Sequence, residues 1–179
     1  MEKRVFENPL IKDKVTLLES SRETGGAYTL VEVELEAGGG NPLHYHTTFN
    51  EEFTALEGVL GVQLGKKQLR LKPGQKALAP VRKFHRFYNP GKEKVKFHVR
   101  LIPGNEGFEN TLRILYGLAG DGLLSKRGVP KKLDHLAVFA QKADLRGKGL
   151  LFLLLPYLRY RAKQAQKRGV YEDLLRKYA

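Results

Sequence analysis

Over most of the first hundred residues apolar and polar positions alternate. From Tyr28 to Glu36, Val31, Val33 and Leu35 fall on one side and Glu32, Glu34 and Glu36 on the other. A period of two is that of a half-buried strand. Lys94 to Leu101 repeats the pattern, with Val95, Phe97, Val99 and Leu101 set against Lys94, Lys96, His98 and Arg100. One strand carries an acidic row and the other a basic row, which predicts that the two lie side by side. Val15–Leu18 and Val59–Leu64 read as shorter strands, and turn residues at Ala37–Pro42, Gly65–Lys66, Lys72–Gly74 and Asn89–Gly91 separate the runs. Short, evenly spaced strands of this kind predict an antiparallel barrel or jelly roll.

After Pro103-Gly104 the apolar period lengthens to about 3.6. Phe108, Leu112, Leu115 and Leu118 make one helical stripe, with Asn105 as cap and Gly120 as stop. A second helix is expected over Lys132–Lys142, with Leu133, Leu136, Ala137 and Ala140 on one side. A third is expected over Leu150–Arg168, begun or bent at Pro156 and ended by Gly169, followed by a last turn over Tyr171–Tyr178. The chain therefore divides into a β-barrel over 1–104 and a helical extension over 105–179, docked on the barrel or at a subunit interface.

Charge sharpens that division. Of the net +13, residues 1–106 carry +4 and residues 107–179 carry +9, and no acid occurs between Asp144 and Glu172. The extension thus presents a different kind of surface from the barrel. The run Gly149–Leu158 is apolar all round, which suits burial in a core or at an interface between copies. Competing readings are a membrane-surface anchor and, through the basic residues that follow, a nucleic-acid contact, the weakest of the three. The run is about half the length of a spanning helix. The start Met1-Glu-Lys-Arg4 has no apolar leader, so a cytoplasmic protein is expected. Without cysteine, disulfides and thiolate ligands are excluded.

The candidate chemistry is concentrated in two segments. The first reads Gly38-x5-His44-x-His46-x4-Glu51-x6-Gly58, and the second Gly74-x5-Pro80-x4-His85-x3-Asn89. His44 and His46 are two apart, so on an extended strand both point to one face. Three imidazoles and a carboxylate form a complete ligand set for one divalent transition metal, Fe, Mn, Ni, Cu or Zn, and leave positions for water or substrate if the ion is octahedral. Phe53 and Ala55 share the parity of Glu51, and Phe87 that of His85, so these are expected to line the pocket. Gln63 is the polar candidate there. Glu52, of opposite parity, should point away, as should Tyr45 and Tyr88. No further inward acid or lysine stands out as a general base, which favours metal-centred chemistry over pure acid–base work.

These two segments resemble the two motifs of the cupin superfamily. The first agrees at Gly38, His44, His46, Glu51 and Gly58, the second at Gly74, Pro80, His85 and Asn89. Arg82 stands where the family has a glycine, and a non-glycine residue there is expected to avoid a left-handed backbone. The resemblance covers roughly residues 15 to 104 and implies a small β-barrel, the metal ligands named above, and commonly a homodimer. For function it implies a metal-dependent enzyme of oxygenase or isomerase type acting on a small organic molecule. The alternative is a non-catalytic metal- or ligand-binding module whose basic helical tail contacts a partner or a membrane surface.

Overall fold

The structure, a computed structural model, describes residues 4–125, 128–147 and 154–179. In chain order the first strands are β1 (Val5–Asn8), β2 (Asp13–Glu19), β3 (Thr29–Leu35), β4 (His44–Tyr45), β5 (Asn50–Glu57) and β6 (Leu60–Leu64). They are followed by β7 (Lys67–Leu71), β8 (Lys76–Ala79), β9 (His85–Tyr88), β10 (Val95–Ile102) and, beyond two helices, β11 (Arg146–Gly147). One sheet has the order β1-β2-β3-β10-β5-β8 and the other β11-β4-β9-β6-β7. Every named pairing is antiparallel. This is a mainly β jelly roll followed by helices, as the sequence pattern predicts.

The period-two strands face each other across one core. Leu35, Phe53, Phe97, Leu60 and Leu101 are fully buried. The acidic and basic rows do pair, with Lys96 opposite Glu34 and His98 opposite Glu32 along β3 and β10. Lys94 reaches Glu34 at 3.2 Å and Lys96 reaches Glu32 at 3.2 Å. Partly exposed ion pairs contribute little to stability, so the effect of these rows is chiefly on strand choice and register.

The helices are α1 (Glu106–Gly120), α2 (Leu133–Lys142), α3 (Leu155–Lys167) and α4 (Val170–Tyr178). The Asn105 side chain caps α1 by accepting from Phe108 N at 2.8 Å, satisfying one of the backbone donors a helix start leaves open. Pro156 lies in the first turn of α3, where its missing N–H costs nothing. Gly169, at φ +73°, ends α3 and turns the chain into α4. Residues 148–153, which hold the first half of the apolar run Gly149–Leu158, lie outside the described residues. Among the described residues no helix is long and apolar enough to cross a membrane.

Helix α1 is buried on two faces. Phe108, Leu112 and Tyr116 pack against the barrel core, while Ile114 and Leu118 join a second core with Val138, Ala165, Tyr171 and Leu174. Polar ties pin the same helix to the barrel. Glu109 accepts from Ser21 N at 2.7 Å and from Thr29 Oγ1 at 2.5 Å, and Tyr116 Oη donates to Asp13 Oδ2 at 2.7 Å. The extension is not purely helical, because β11 adds two of its residues to the edge of the second sheet. Helical periodicity could not foresee this, since two residues carry no period.

Burial pushes the Asp13 carboxyl up to about 7 from an ordinary 3.8, although the Tyr116 hydroxyl pulls the other way. The folded state therefore keeps a proton that the unfolded chain has lost between about pH 4 and about pH 7, and stability falls as pH rises through that window. Asp13→Asn removes this dependence. Its unfolding free energy should gain on the wild type between about pH 4.5 and about pH 7.5, by an amount on the order of a few kcal/mol. Denaturant unfolding of both proteins across that range checks this, and parallel curves would contradict it.

Candidate metal centre

Both sheets contribute to one buried point. His44 opens β4 and lies directly opposite His85 at the start of β9. His46 follows just after β4. Glu51 comes from the other sheet, near the start of β5, with Phe53 and Ala55 inward of it on the same face. One ligand atom from each of His44, His46, Glu51 and His85 can be chosen so that all lie within 4.8 Å of one another. All four residues are buried.

The orientation of the imidazoles carries the argument for a metal. Nδ1 of His44 sits 2.7 Å from the Pro42 carbonyl, that of His85 2.8 Å from the Lys83 carbonyl, and that of His46 3.2 Å from the Asp144 carbonyl. A carbonyl only accepts, so each Nδ1 carries a proton and each Nε2 faces inward, as a lone pair wherever the ring is neutral. His44 Nε2 and His46 Nε2 are then two lone pairs 3.1 Å apart. Two facing lone pairs at that distance repel, and a metal ion held between them would turn the repulsion into coordination. Glu51 Oε2 lies 2.9 Å from His85 Nε2, and Oε1 lies 3.6 Å from His46 Nε2. Donors bound at about 2.1 Å to one ion stand roughly 3 to 3.5 Å apart when adjacent, so the set fits a divalent transition metal.

The electrostatics agree. Burial pushes His44 down to about 4, against the attraction of Glu51, and lowers His46 likewise. Burial alone would raise Glu51, but the surrounding imidazoles outweigh it and hold the carboxyl at about 2. Burial also disfavours charge on His85, yet its hydrogen bond with Glu51 prevails and raises it. Two imidazoles are thus kept neutral, as ligands must be, beside an ionised carboxylate. In His85, Nδ1 already donates to Lys83, so the 2.9 Å contact from Nε2 to the Glu51 carboxylate needs a second proton, which a metal would displace.

Aromatic rings close the site. Phe49 stacks on His46 with centroids 4.3 Å apart, and Phe108 of α1 meets the edge of Phe49 at 5.9 Å. Phe53 lies 6.1 Å from the His85 ring and 6.3 Å from Phe87, which in turn is 5.1 Å from Phe97. Gln63 is engaged at both ends, accepting from Arg86 Nε at 2.8 Å and donating to the Gly65 carbonyl at 3.0 Å. Glu52 faces outward and pairs with Lys76. Tyr45 packs edge-on against Phe84.

One expectation is overturned. Arg82 does adopt a left-handed backbone, with φ +60°. The turn aims Arg82 N at the His46 carbonyl, 2.7 Å away, so the hydrogen bond is made at the cost of strain that glycine would avoid. Asp144 is a residue the sequence did not mark for the site. Besides its carbonyl contact to His46, its carboxylate accepts from Thr47 N at 2.5 Å, Thr47 Oγ1 at 2.8 Å, Thr48 N at 2.8 Å and Thr48 Oγ1 at 3.0 Å. Burial works against ionisation of Asp144, but these donors prevail and lower it. In the sequence it shows only as the last acid before a long acid-free stretch.

Comparison with known proteins adds a family match over the strands that carry the donors. Residues 31–101 match the family model described as the Cupin domain. The chain carries a cupin domain. All four donors fall inside the matched segment, whereas α1, Asp144 and the rest of the extension lie beyond it. Solved structures similar to this cupin include KdgF from Halomonas sp., 17% identical, covering 53% of this chain and 83% of that one with a TM-score of 0.48. Another is a predicted oxalate decarboxylase from Thermotoga maritima, 20% identical, with coverage of 51% and 80% and a TM-score of 0.49. A third is the cupin domain of Cnp3 from Schizosaccharomyces pombe, 21% identical, with coverage of 55% and 69% and a TM-score of 0.47. No curated protein matches the chain.

The cupin should purify with, or take up, close to one transition-metal ion per chain, and His85→Ala should lose it. Elemental analysis of untagged protein measures both. Because the ion must displace the proton shared by His85 and Glu51, uptake should release protons at neutral pH and weaken as pH falls through the imidazole range. Calorimetric titration in buffers of different ionisation enthalpy reads that release directly, and uptake without protons would refute the arrangement.

Proposed function

We propose that this cupin is a metal-dependent enzyme, of oxygenase or isomerase type, acting on a small organic molecule. The observation that supports it most is the convergence of three Nδ1-locked imidazoles and one ionised carboxylate on one buried point. A divalent ion bound there would supply Lewis-acid polarisation of a substrate oxygen and, if redox-active, electron transfer as well. Four protein donors leave open positions on a six-coordinate ion.

The chain's own residues set the conditions. Glu51 offsets one unit of cationic charge and so leaves the site able to accept an anionic oxygen ligand. Phe49 against His46 and Phe53 against His85, with Phe87 packed behind Phe53, keep water away from the donors, which strengthens every electrostatic interaction among them. They also favour an aromatic or apolar body on the substrate. Among the described residues the other buried carboxylates are already committed: Asp13 to Tyr116, Glu109 to Ser21 and Thr29, and Asp144 to Thr47 and Thr48. Proton transfer by a free buried acid is therefore not what this site is built for.

The burial of the four donors and the stacking of Phe49 on His46 also suit a second reading, in which the ion is structural or holds an effector and the extension makes the partner contacts. The two readings separate in one experiment. Metal-stripped protein is reloaded in turn with Fe, Mn, Ni, Cu and Zn, then incubated with aromatic and carboxylate-bearing small molecules while oxygen uptake and product NMR are followed. Turnover that needs one ion and disappears in folded His85→Ala supports the enzyme. A rise in unfolding midpoint on loading, with no turnover by any ion, supports the binding module.

A further inference from the structure

The extension contributes to the metal centre through one segment. Residues 144–147 run along the outer side of β4: Arg146 pairs with Tyr45 and Gly147 with His44. Just before them, Asp144 has a left-handed backbone at φ +47°. That conformation is uncommon for a residue with a side chain and persists where surrounding contacts determine it. Here the contacts are the carboxylate's bonds to Thr47 and Thr48, with Arg146 a further 3.6 Å away. The end of α2 that delivers Asp144 is seated against the start of α1. A Cβ on Gly107 would come within 2.9 Å of the Lys142 carbonyl, so the approach depends on glycine there.

We propose that Asp144 is the positioning residue for His46, and that the helical extension thereby completes the metal centre. The carboxylate holds the two residues that follow His46, and the carbonyl of the same residue takes the proton of His46 Nδ1. One residue therefore fixes both the backbone and the tautomer of one ligand. His44 and His85 take the equivalent carbonyl from residues two positions earlier in the chain, Pro42 and Lys83, just before their strands begin. His46 is the ligand whose acceptor comes from 98 residues away. A hydrogen bond to the far nitrogen of a ligating histidine orients the ring and raises its basicity, and losing such a partner weakens metal binding about 10- to 100-fold.

The proposal rests on the metal reading, so its test has two readouts, one of which needs no ion. Asp144→Gly keeps the carbonyl and suits the left-handed backbone, but removes every carboxylate acceptor. Thr47→Val removes one hydroxyl donor, and Asp144→Asn retains the shape with a weaker acceptor. In the metal-free wild type, long-range 1H–15N spectra should show His46 as a single Nδ1–H tautomer. Asp144→Gly should mix the tautomers, with smaller changes in the other two variants. Competition with a chelator should show Zn or Ni affinity falling about 10- to 100-fold in Asp144→Gly and less in the milder variants.

An unaltered His46 tautomer together with unaltered affinity, in variants whose melting shows them folded, would overturn the proposal. If Asp144→Gly does not fold, Asp144→Asn and Thr47→Val decide by the same two measurements. If the wild type binds no ion, the metal reading fails and the tautomer spectra alone decide whether Asp144 sets His46.

Discussion

The contact between Glu51 and His85, 2.9 Å long and buried, joins the two sheets of the barrel at their chemical end. A carboxylate with so little access to water survives only beside positive charge or strong donors. The protonated His85 ring meets that requirement, and an ion among the four donors would meet it more fully. The requirement propagates outward. The rings must present Nε2, so each Nδ1 needs a carbonyl, and each carbonyl needs a backbone held in place. The strand pairing of His44 with His85, the turn at Arg82 and the segment around Asp144 can all be traced to that chain of demands.

The barrel core and the site are not separable layers. Phe53 is at once a fully buried core residue and a neighbour of the His85 ring, and Phe49 is at once a wall of the site and a surface for α1. Interiors packed at crystal-like density transmit small changes. A substitution on the barrel-facing side of α1 can therefore move the His46 ring through Phe108 and Phe49 without touching it. The extension is coupled to the donor cluster by packing as well as by Asp144.

Much of this arrangement was legible in the sequence. Spacing and parity identified His44, His46, Glu51 and His85, and placed Phe53 and Ala55 inward, because side-chain direction alternates locally along a strand. The opposed charge rows identified the β3–β10 pair for the same reason. The cap at Asn105 and the stop near Gly120 were legible because caps act within one turn. What was hidden depends on distant partners. Asp144 bonds to residues nearly one hundred positions away, and nothing in its neighbours announces that. Arg82 was misread because general backbone preference pointed one way while a specific hydrogen bond to His46 pointed the other. The two-residue strand β11 was too short to carry any periodic signal.

The reach of the His46–Asp144 contact has a temporal side. A nascent chain that has emerged as far as the end of β10 already contains all four donors, and could close the barrel around them. It would still lack the acceptor that sets His46, which arrives only after α1 and α2 have been made. Chains emerge at about 5–20 residues per second, so that interval lasts seconds, long compared with loop closure or helix formation. During it the barrel would exist as a sheet sandwich with an unfinished ligand. The order in which the chain is made therefore delays completion of the centre until the helices are in place.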